Sequence, residues 1–97
     1  MTLTPKQAHA ALIDGRTVID LAEGLQLRRS RVMTMNRIEL TGFTEGMRDR
    51  LKSWGLFSEI ITWKLRFFVP VDSAGPAILG KVIETYPIER VSERAAA

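Results

Sequence analysis

The side chains with the clearest chemical potential are arginines gathered in one short window of the chain. Residues 28–37 contain no acidic side chain and carry four guanidinium groups, on Arg28, Arg29, Arg31 and Arg37. A guanidinium group binds phosphate oxygens through paired N–H donors. The net charge of the whole chain is only +3, so the basic excess is local. The window predicts a phosphate-binding surface, with a solvated charged face as the alternative.

A second group of candidate side chains lies at alternate positions further along the chain. Lys64, Arg66 and Phe68 share one side of the backbone if their segment is extended. An aromatic ring beside an arginine can stack on a nucleic-acid base or anchor a protein partner. The alternative is that the third helix or the N-terminal segment covers this face and buries Phe68. These three residues are therefore candidates for partner binding.

The sequence assembles no catalytic or metal-binding set. His9 is the only histidine and there is no cysteine, so the usual metal ligands are scarce. Residues 75–82 come close to the phosphate-binding loop G-x-x-x-x-G-K-[ST]. Val82, however, stands where that loop needs a hydroxyl group to ligate magnesium. We therefore expect no enzymatic activity, no cofactor and no metal.

The strongest signal for an element is the alternation of apolar and polar residues over 59–71. The apolar positions are β-branched or aromatic and recur with period two, which is typical of a half-buried strand. They are Ile61, Trp63, Leu65, Phe67, Val69 and Val71. The pattern predicts one strand over 59–71 with its odd-numbered face on the core. Trp63 is thus a predicted core residue.

Three helices are predicted, over residues 5–13, 45–54 and 76–86. Thr4 and Gln7 form a capping box at the start of the first helix. Gly55 is a natural stop for the second. A short final strand is expected at 88–91, and residues 92–97 form a small polar tail that is expected to be disordered.

Residues 17–41 fit two different structures. As strands, they form segments 17–22, 25–29 and 32–40 with a turn at Glu23-Gly24. As helices, they form segments 18–25 and 30–39 with a turn at Gln26-Leu27. Gly24 destabilises the first of these helices by ~1 kcal/mol relative to Ala. Both interpretations stay open at the level of the sequence.

In the helical interpretation, residues 21–37 resemble a helix-turn-helix DNA-binding domain. The segment reads LAEGLQLRRSRVMTMNR, with the small Ala22 where two helices cross and Leu27 at the turn. The resemblance implies that its outward side chains contact phosphates and base edges. Those side chains are Arg28, Arg29, Ser30, Arg31, Thr34 and Arg37. It also implies that residues 43–91 pair two copies on two half-sites.

These patterns together predict one domain over residues 1–97, of the α+β class. A small antiparallel sheet that includes the strand 59–71 is expected to pack against about three helices. No signal core or membrane-spanning run is visible, so we expect a cytoplasmic protein. The predicted function is that of a small basic DNA-binding regulator without enzymatic activity. The alternative is a compact protein-binding module, such as a phage- or plasmid-type inhibitor of a larger host assembly.

Overall fold

The computed structural model describes residues 3–32 and 34–93, and its architecture is α+β as predicted. In chain order the elements are α1 Pro5–Asp14, β1 Thr17–Leu21, β2 Gln26–Val32, β3 Met35–Thr41, α2 Arg48–Ser53, β4 Phe57–Ile61, β5 Lys64–Val69, α3 Gly75–Thr85 and β6 Ile88–Glu93. Two 3₁₀ turns, Ala22–Gly24 and Glu45–Met47, lie between β1 and β2 and just before α2.

The strands form a six-stranded antiparallel sheet in the order β4-β5-β3-β2-β1-β6. One row of directly paired residues crosses it. Ile19 pairs with Leu27, and Leu40 pairs with both Leu27 and Phe67. Directly paired residues share a face of the sheet, so these four apolar side chains lie together. All four are buried, and a slip of one residue in any strand would expose its apolar set.

Helices α1 and α3 cover that apolar face. Their buried residues Leu12, Leu79 and Val82 belong to the same core cluster as the strand residues. Burying an aliphatic side chain of this size stabilises the fold by roughly 1.5–3 kcal/mol. The other side of the sheet carries the directly paired residues Arg28, Glu39 and Phe68. We call this side the open face.

The start of α1 matches the sequence prediction. The side-chain oxygen of Thr4 accepts a hydrogen bond from the backbone N–H of Gln7 at 3.2 Å. The side-chain oxygen of Gln7 accepts one from the backbone N–H of Thr4 at 3.0 Å. This capping box satisfies two donors that the first helical turn leaves without backbone partners.

Residues 17–41 form strands, so the helix pair over 18–25 and 30–39 is wrong. The extended alternative is confirmed in its three strands and in its turn at Glu23 and Gly24, which have φ of 61° and 79°. Its second break is misplaced, because β2 continues through Ser30 and Arg31 to Val32. The physical reason is the spacing of the apolar residues. Ile19 and Leu21 reach the core together only if the backbone alternates between faces. The helix-turn-helix resemblance therefore has no helices to support it.

The continuous strand over 59–71 is also wrong, because this segment is the β4–β5 hairpin. Ile61 pairs with Lys64, and only Thr62 and Trp63 lie between the two strands. Both turn residues have positive φ, 52° and 65°. Two such residues between paired strands are the signature of a type I′ turn.

The remaining elements agree closely with the expected segments. The predicted helix 45–54 is a 3₁₀ turn followed by α2, and the predicted helix 76–86 is α3. Ser92 and Glu93 pair with β1 as part of β6, which contradicts a disordered tail that begins at residue 92. The rest of that expected tail, 94–97, lies outside the described residues.

Candidate nucleic-acid interface

The arginine window is divided between the two faces of the sheet by strand β2. Arg28 and Ser30 point to the open face, whereas Arg29 points to the side covered by α1. The Nη1 atom of Arg29 donates hydrogen bonds to the backbone carbonyls of Ile13 and Asp14, both at 3.2 Å. Arg29 therefore binds the C-terminal end of α1, where carbonyl groups lack helical partners.

The other residues of the helix-turn-helix prediction are spread along the β2–β3 hairpin. Arg31 and Thr34 are exposed near its turn. Arg37 lies on the open face and forms an ion pair with Glu59 at 2.7 Å. The structure therefore does not place the six predicted residues on one surface.

Phe68 is on the open face but is only 1% exposed. Its cover consists of arginines of the same sheet. The guanidinium carbons of Arg37 and Arg66 lie 4.8 and 5.7 Å from the centre of its ring. An exposed Phe68 anchor is therefore wrong. The burial of Phe68 agrees with the alternative, but arginine side chains of the sheet lie over its ring where a helix or the N-terminal segment was expected. Cation–π attraction and apolar burial hold this cluster together.

A buried carboxylate fixes the position of Arg66. Glu39 accepts hydrogen bonds from Nε and Nη2 of Arg66 at 2.8 and 2.5 Å, and Ser30 accepts a further one from Nη2 at 3.1 Å. The hydrogen bond to Glu39 raises the pKa of Arg66 above its ordinary value. Arg66 is thus a permanent, oriented cation, and within residues 3–32 and 34–93 its Nη1 group donates no hydrogen bond to the protein.

Next to Arg66 lies a groove of about 820 Å³, which we call the basic groove. It lies at the end of the sheet where β3 finishes and the β4–β5 hairpin turns. Its charged lining consists of four cations, Arg28, Arg48, Lys64 and Arg66, and the single acid Glu39. Within residues 3–32 and 34–93, no carboxylate forms an ion pair with Arg28, Arg48 or Lys64. The lining therefore carries an excess of three positive charges, and its cations Arg28, Arg48 and Lys64 are exposed to solvent.

The groove joins residues from both predicted sites. Arg28 comes from the arginine window, and Lys64 and Arg66 come from the partner-binding set. Sequence reasoning missed Arg48, which lies within the predicted second helix, 45–54, but was not a candidate site residue. It also missed Trp63, because Thr62 and Trp63 are not residues that usually mark a tight hairpin turn.

Trp63 lines the groove at the tip of the hairpin and is 97% exposed. Its prediction as a core residue is therefore wrong. The left-handed backbone at Thr62 and Trp63 costs roughly 1–2 kcal/mol per residue, since neither is Gly, Asn or Asp. An exposed tryptophan in a strained turn contributes little to the stability of the fold.

The arrangement offers binding chemistry. Three exposed cations and one guanidinium held by Glu39 and Ser30 line a concave surface that also includes the side chain of Trp63. Within the described part of the chain, no group of three or more His, Asp or Glu side chains is placed to hold a metal ion. Across the same residues, no helix combines the length and the apolar character needed to cross a bilayer.

Comparison with protein-family models, with curated proteins and with solved structures gives no significant match.

Proposed function

We propose that the protein is a small non-enzymatic DNA-binding protein that holds the phosphate backbone in the basic groove. The observation that carries this proposal is an excess of three positive charges in the lining of one concavity. Its single carboxylate, Glu39, is bound by Arg66, and Arg28, Arg48 and Lys64 form no ion pair with a described carboxylate. Like charges brought together in a groove repel one another and attract a polyanion. Phosphate groups neutralise such a set and release the counterions condensed on the nucleic acid.

Arg66 contributes orientation as well as charge. Its Nε and Nη2 groups are held by Glu39 and Ser30, so the planar guanidinium cannot swing away from the groove. A donor that is already oriented loses less conformational entropy when it binds a phosphate oxygen. The flexible Arg28 and Lys64 can then adapt to neighbouring phosphates.

The proposal is tested by measuring affinity against salt for a double variant, Arg28→Ala with Lys64→Ala. Fluorescence anisotropy with a labelled oligonucleotide would be recorded from about 20 to 200 mM salt. We expect affinity to fall at least about tenfold at the lowest salt. The slope of log affinity against log salt should fall by about 1.4 for a single strand or 1.8 for a duplex.

The matched control removes two cations from the helices instead. Lys6 on α1 and Lys81 on α3 are exposed, and these helices pack on the opposite side of the sheet. Lys6→Ala with Lys81→Ala changes the net charge equally and is expected to leave the slope within about 0.3 of the wild type. Equal losses in both double variants would show a diffuse charge effect and contradict a defined groove.

A second candidate function, protein binding, is favoured by strand β4. It is an edge strand with β5 on one side. Its apolar residues Phe57 and Ile60 are 59% and 72% exposed. An exposed apolar edge can accept an extended segment of another chain as an additional strand. For an inhibitor-type protein-binding module, the proposed docking site is therefore strand β4 and not the buried Phe68.

Charge placed on that edge should prevent such docking. Ile60→Lys is compared with Val91→Lys, because Val91 is an exposed apolar residue of β6 at the opposite edge. Partners captured from lysate would be identified by mass spectrometry, purified and titrated against both variants. We expect Ile60→Lys to lower the affinity at least about tenfold and Val91→Lys to leave it unchanged. Equal affinities for the two variants would rule out docking at β4.

A further inference from the structure

Trp63 has no role in the fold that explains its type. Its side chain is almost fully exposed and lies outside the core cluster. The preceding residue, Thr62, is β-branched and has φ of 52°, a conformation in which β-branched residues are outliers. Asn-Gly is the favoured pair for a turn of this kind. The turn therefore carries a large aromatic side chain at the expense of its own stability.

The position of Trp63 links it to the cations. It precedes Lys64 in the chain and lines the same groove as Arg28 and Arg66. A strand of nucleic acid whose phosphates contacted these cations would pass beside the indole ring, because Trp63 lines the same groove. Sugar and base are carried on the same backbone, so a base is within reach of that ring.

We propose that the basic groove takes single-stranded nucleic acid and that one base stacks on the indole ring of Trp63. This inference rests on the proposed function, since it needs the phosphates to lie on the groove cations. It adds a ligand class and a specific contact that the cations alone do not supply.

A single strand fits these features better than a duplex. Bases in a duplex are stacked on their neighbours, so their faces are not available to an aromatic side chain. Reading a duplex through its major groove uses hydrogen-bonding side chains on an inserted helix or ribbon. A tip that carries Thr62 and Trp63 instead offers one large aromatic face. Base–aromatic stacking is the usual device of single-strand binding folds and tolerates any base.

Two turn variants separate stacking from relief of strain. Trp63→Gly removes the ring and gives the turn a residue that accepts positive φ. Thr62→Asn also relieves strain but keeps Trp63. Both are expected to fold at least as stably as the wild type, which thermal denaturation would check. For an oligothymidylate of about 12 nucleotides, Trp63→Gly should weaken binding by roughly 5- to 150-fold. Thr62→Asn should stay within about twofold of the wild type.

Fluorescence gives a direct readout of stacking. The protein has two tryptophans, so Trp54→Phe leaves Trp63 as the only indole. We expect the oligothymidylate to quench Trp63 emission, because stacking brings the base onto the ring. An abasic oligonucleotide of equal length keeps the phosphates and should bind without that quenching.

The outcomes distinguish this inference from the function beneath it. Quenching by oligothymidylate alone, with loss of affinity only in Trp63→Gly, supports a stacked single strand. If Trp63→Gly and the wild type bind oligothymidylate with equal affinity, and the abasic strand binds as tightly as oligothymidylate, then stacking is overturned. Phosphate binding by the groove would still stand. Tighter binding of a duplex than of the single strand overturns the ligand class. If the wild type binds no nucleic acid, both proposals fail, and Trp63 is then to be tested as a contact for a protein at β4.

Discussion

Glu39 is the residue whose charge state controls the geometry of the groove. It is 5% exposed and binds the guanidinium of Arg66. Burial alone raises the pKa of Glu39. Hydrogen bonds from Arg66 and Ser30, with the positive charges of Arg66 and Arg28, outweigh burial and hold that pKa below its ordinary value of 4.5. The ionised carboxylate therefore stabilises the fold above pH ~4.5, and this contribution is lost as the pH falls through the folded-state pKa.

Replacing Glu39 with Gln tests this contribution. We expect Glu39→Gln to lower the free energy of unfolding by ~2 kcal/mol near pH 7, because it removes charge-assisted hydrogen bonds to Arg66. The deficit should shrink as the pH falls below about 4.5, where the wild type loses the same charge. Urea denaturation at several pH values measures both quantities.

The control for that experiment is the exposed pair of the same face. Glu59 is about half exposed in its ion pair with Arg37, so Glu59→Gln should change stability by less than ~1 kcal/mol near pH 7. If Glu39→Gln kept the same deficit at every pH, the ionisation of Glu39 would have no part in its stabilising role.

Individual residue types indicated the chemistry of the groove but not its location. Arg28, Lys64 and Arg66 were recognisable from the sequence as cations, and all three line the basic groove. Their convergence depends on β3 lying between β2 and β5, which no local pattern encodes. The burial of Phe68 depends on two arginine side chains that lie over its ring. Arginine is usually expected to point into solvent, so its type conceals this role.

At the scale of elements, the β4–β5 hairpin shows how a pattern can mislead. The apolar alternation runs through the turn without Gly, Asn, Asp or Pro, the residues that usually mark one. A two-residue turn puts Ile61 and Lys64 on the same face. Ile61 therefore lies on the open face with Lys64, whereas Leu65 lies on the covered face. In one continuous strand, Ile61 and Leu65 would lie on the same face. The helices were easier to predict, because Thr4 and Gln7 mark a boundary locally.

The loop after β3, at Gly42, lies very close to the turn between β1 and β2, at Gly24. A Cβ atom added to Gly42, whose φ is 83°, would lie 2.2 Å from the carbonyl oxygen of Gly24. Gly24 has a similar φ of 79° but open space around the same position. We expect Gly24→Ala to destabilise the fold by roughly 1 kcal/mol from backbone strain alone.

Gly42→Ala should destabilise the fold by about 3 kcal/mol, since it adds a backbone clash to the same strain. Chemical denaturation of the two variants compares them directly. Similar losses in both would mean that the two loops do not pack as described.

At the scale of the whole molecule, the fold class could be predicted but the order of strands could not. Alternation within a segment fixes which face is buried, and that is local information. The pairing of β1 with β6 joins residues from near the two ends of the described chain. Such contacts are chosen by the packing of the complete core, which a single sequence does not display. Over 17–41 the apolar spacing fits strands, and the pairing of these strands with one another and with β5 and β6 completes the sheet.

The basic groove also affects the stability of the molecule as a whole. Its cations repel one another in the folded state, and salt screens that repulsion. Raising the salt from about 20 to 200 mM should raise the Tm of the wild type by roughly 2–4 °C more than that of Arg28→Ala with Lys64→Ala. Differential scanning calorimetry checks this. The Lys6→Ala, Lys81→Ala variant should follow the wild type, and a response like that of the groove variant would count against local repulsion.

The sheet order separates the groove from the last described residue. Strand β6 lies five strands away from β4, which is ~24 Å at the usual spacing. Glu93 pairs with Thr17 at the end of β1 near α1, whereas Trp63 lies at the other end of the strands. These two residues mark diagonal corners of the sheet. A surface tether or a fluorophore attached beyond Glu93 would therefore be anchored at the corner of the sheet farthest from the hairpin tip, so the attachment point would not cover the groove.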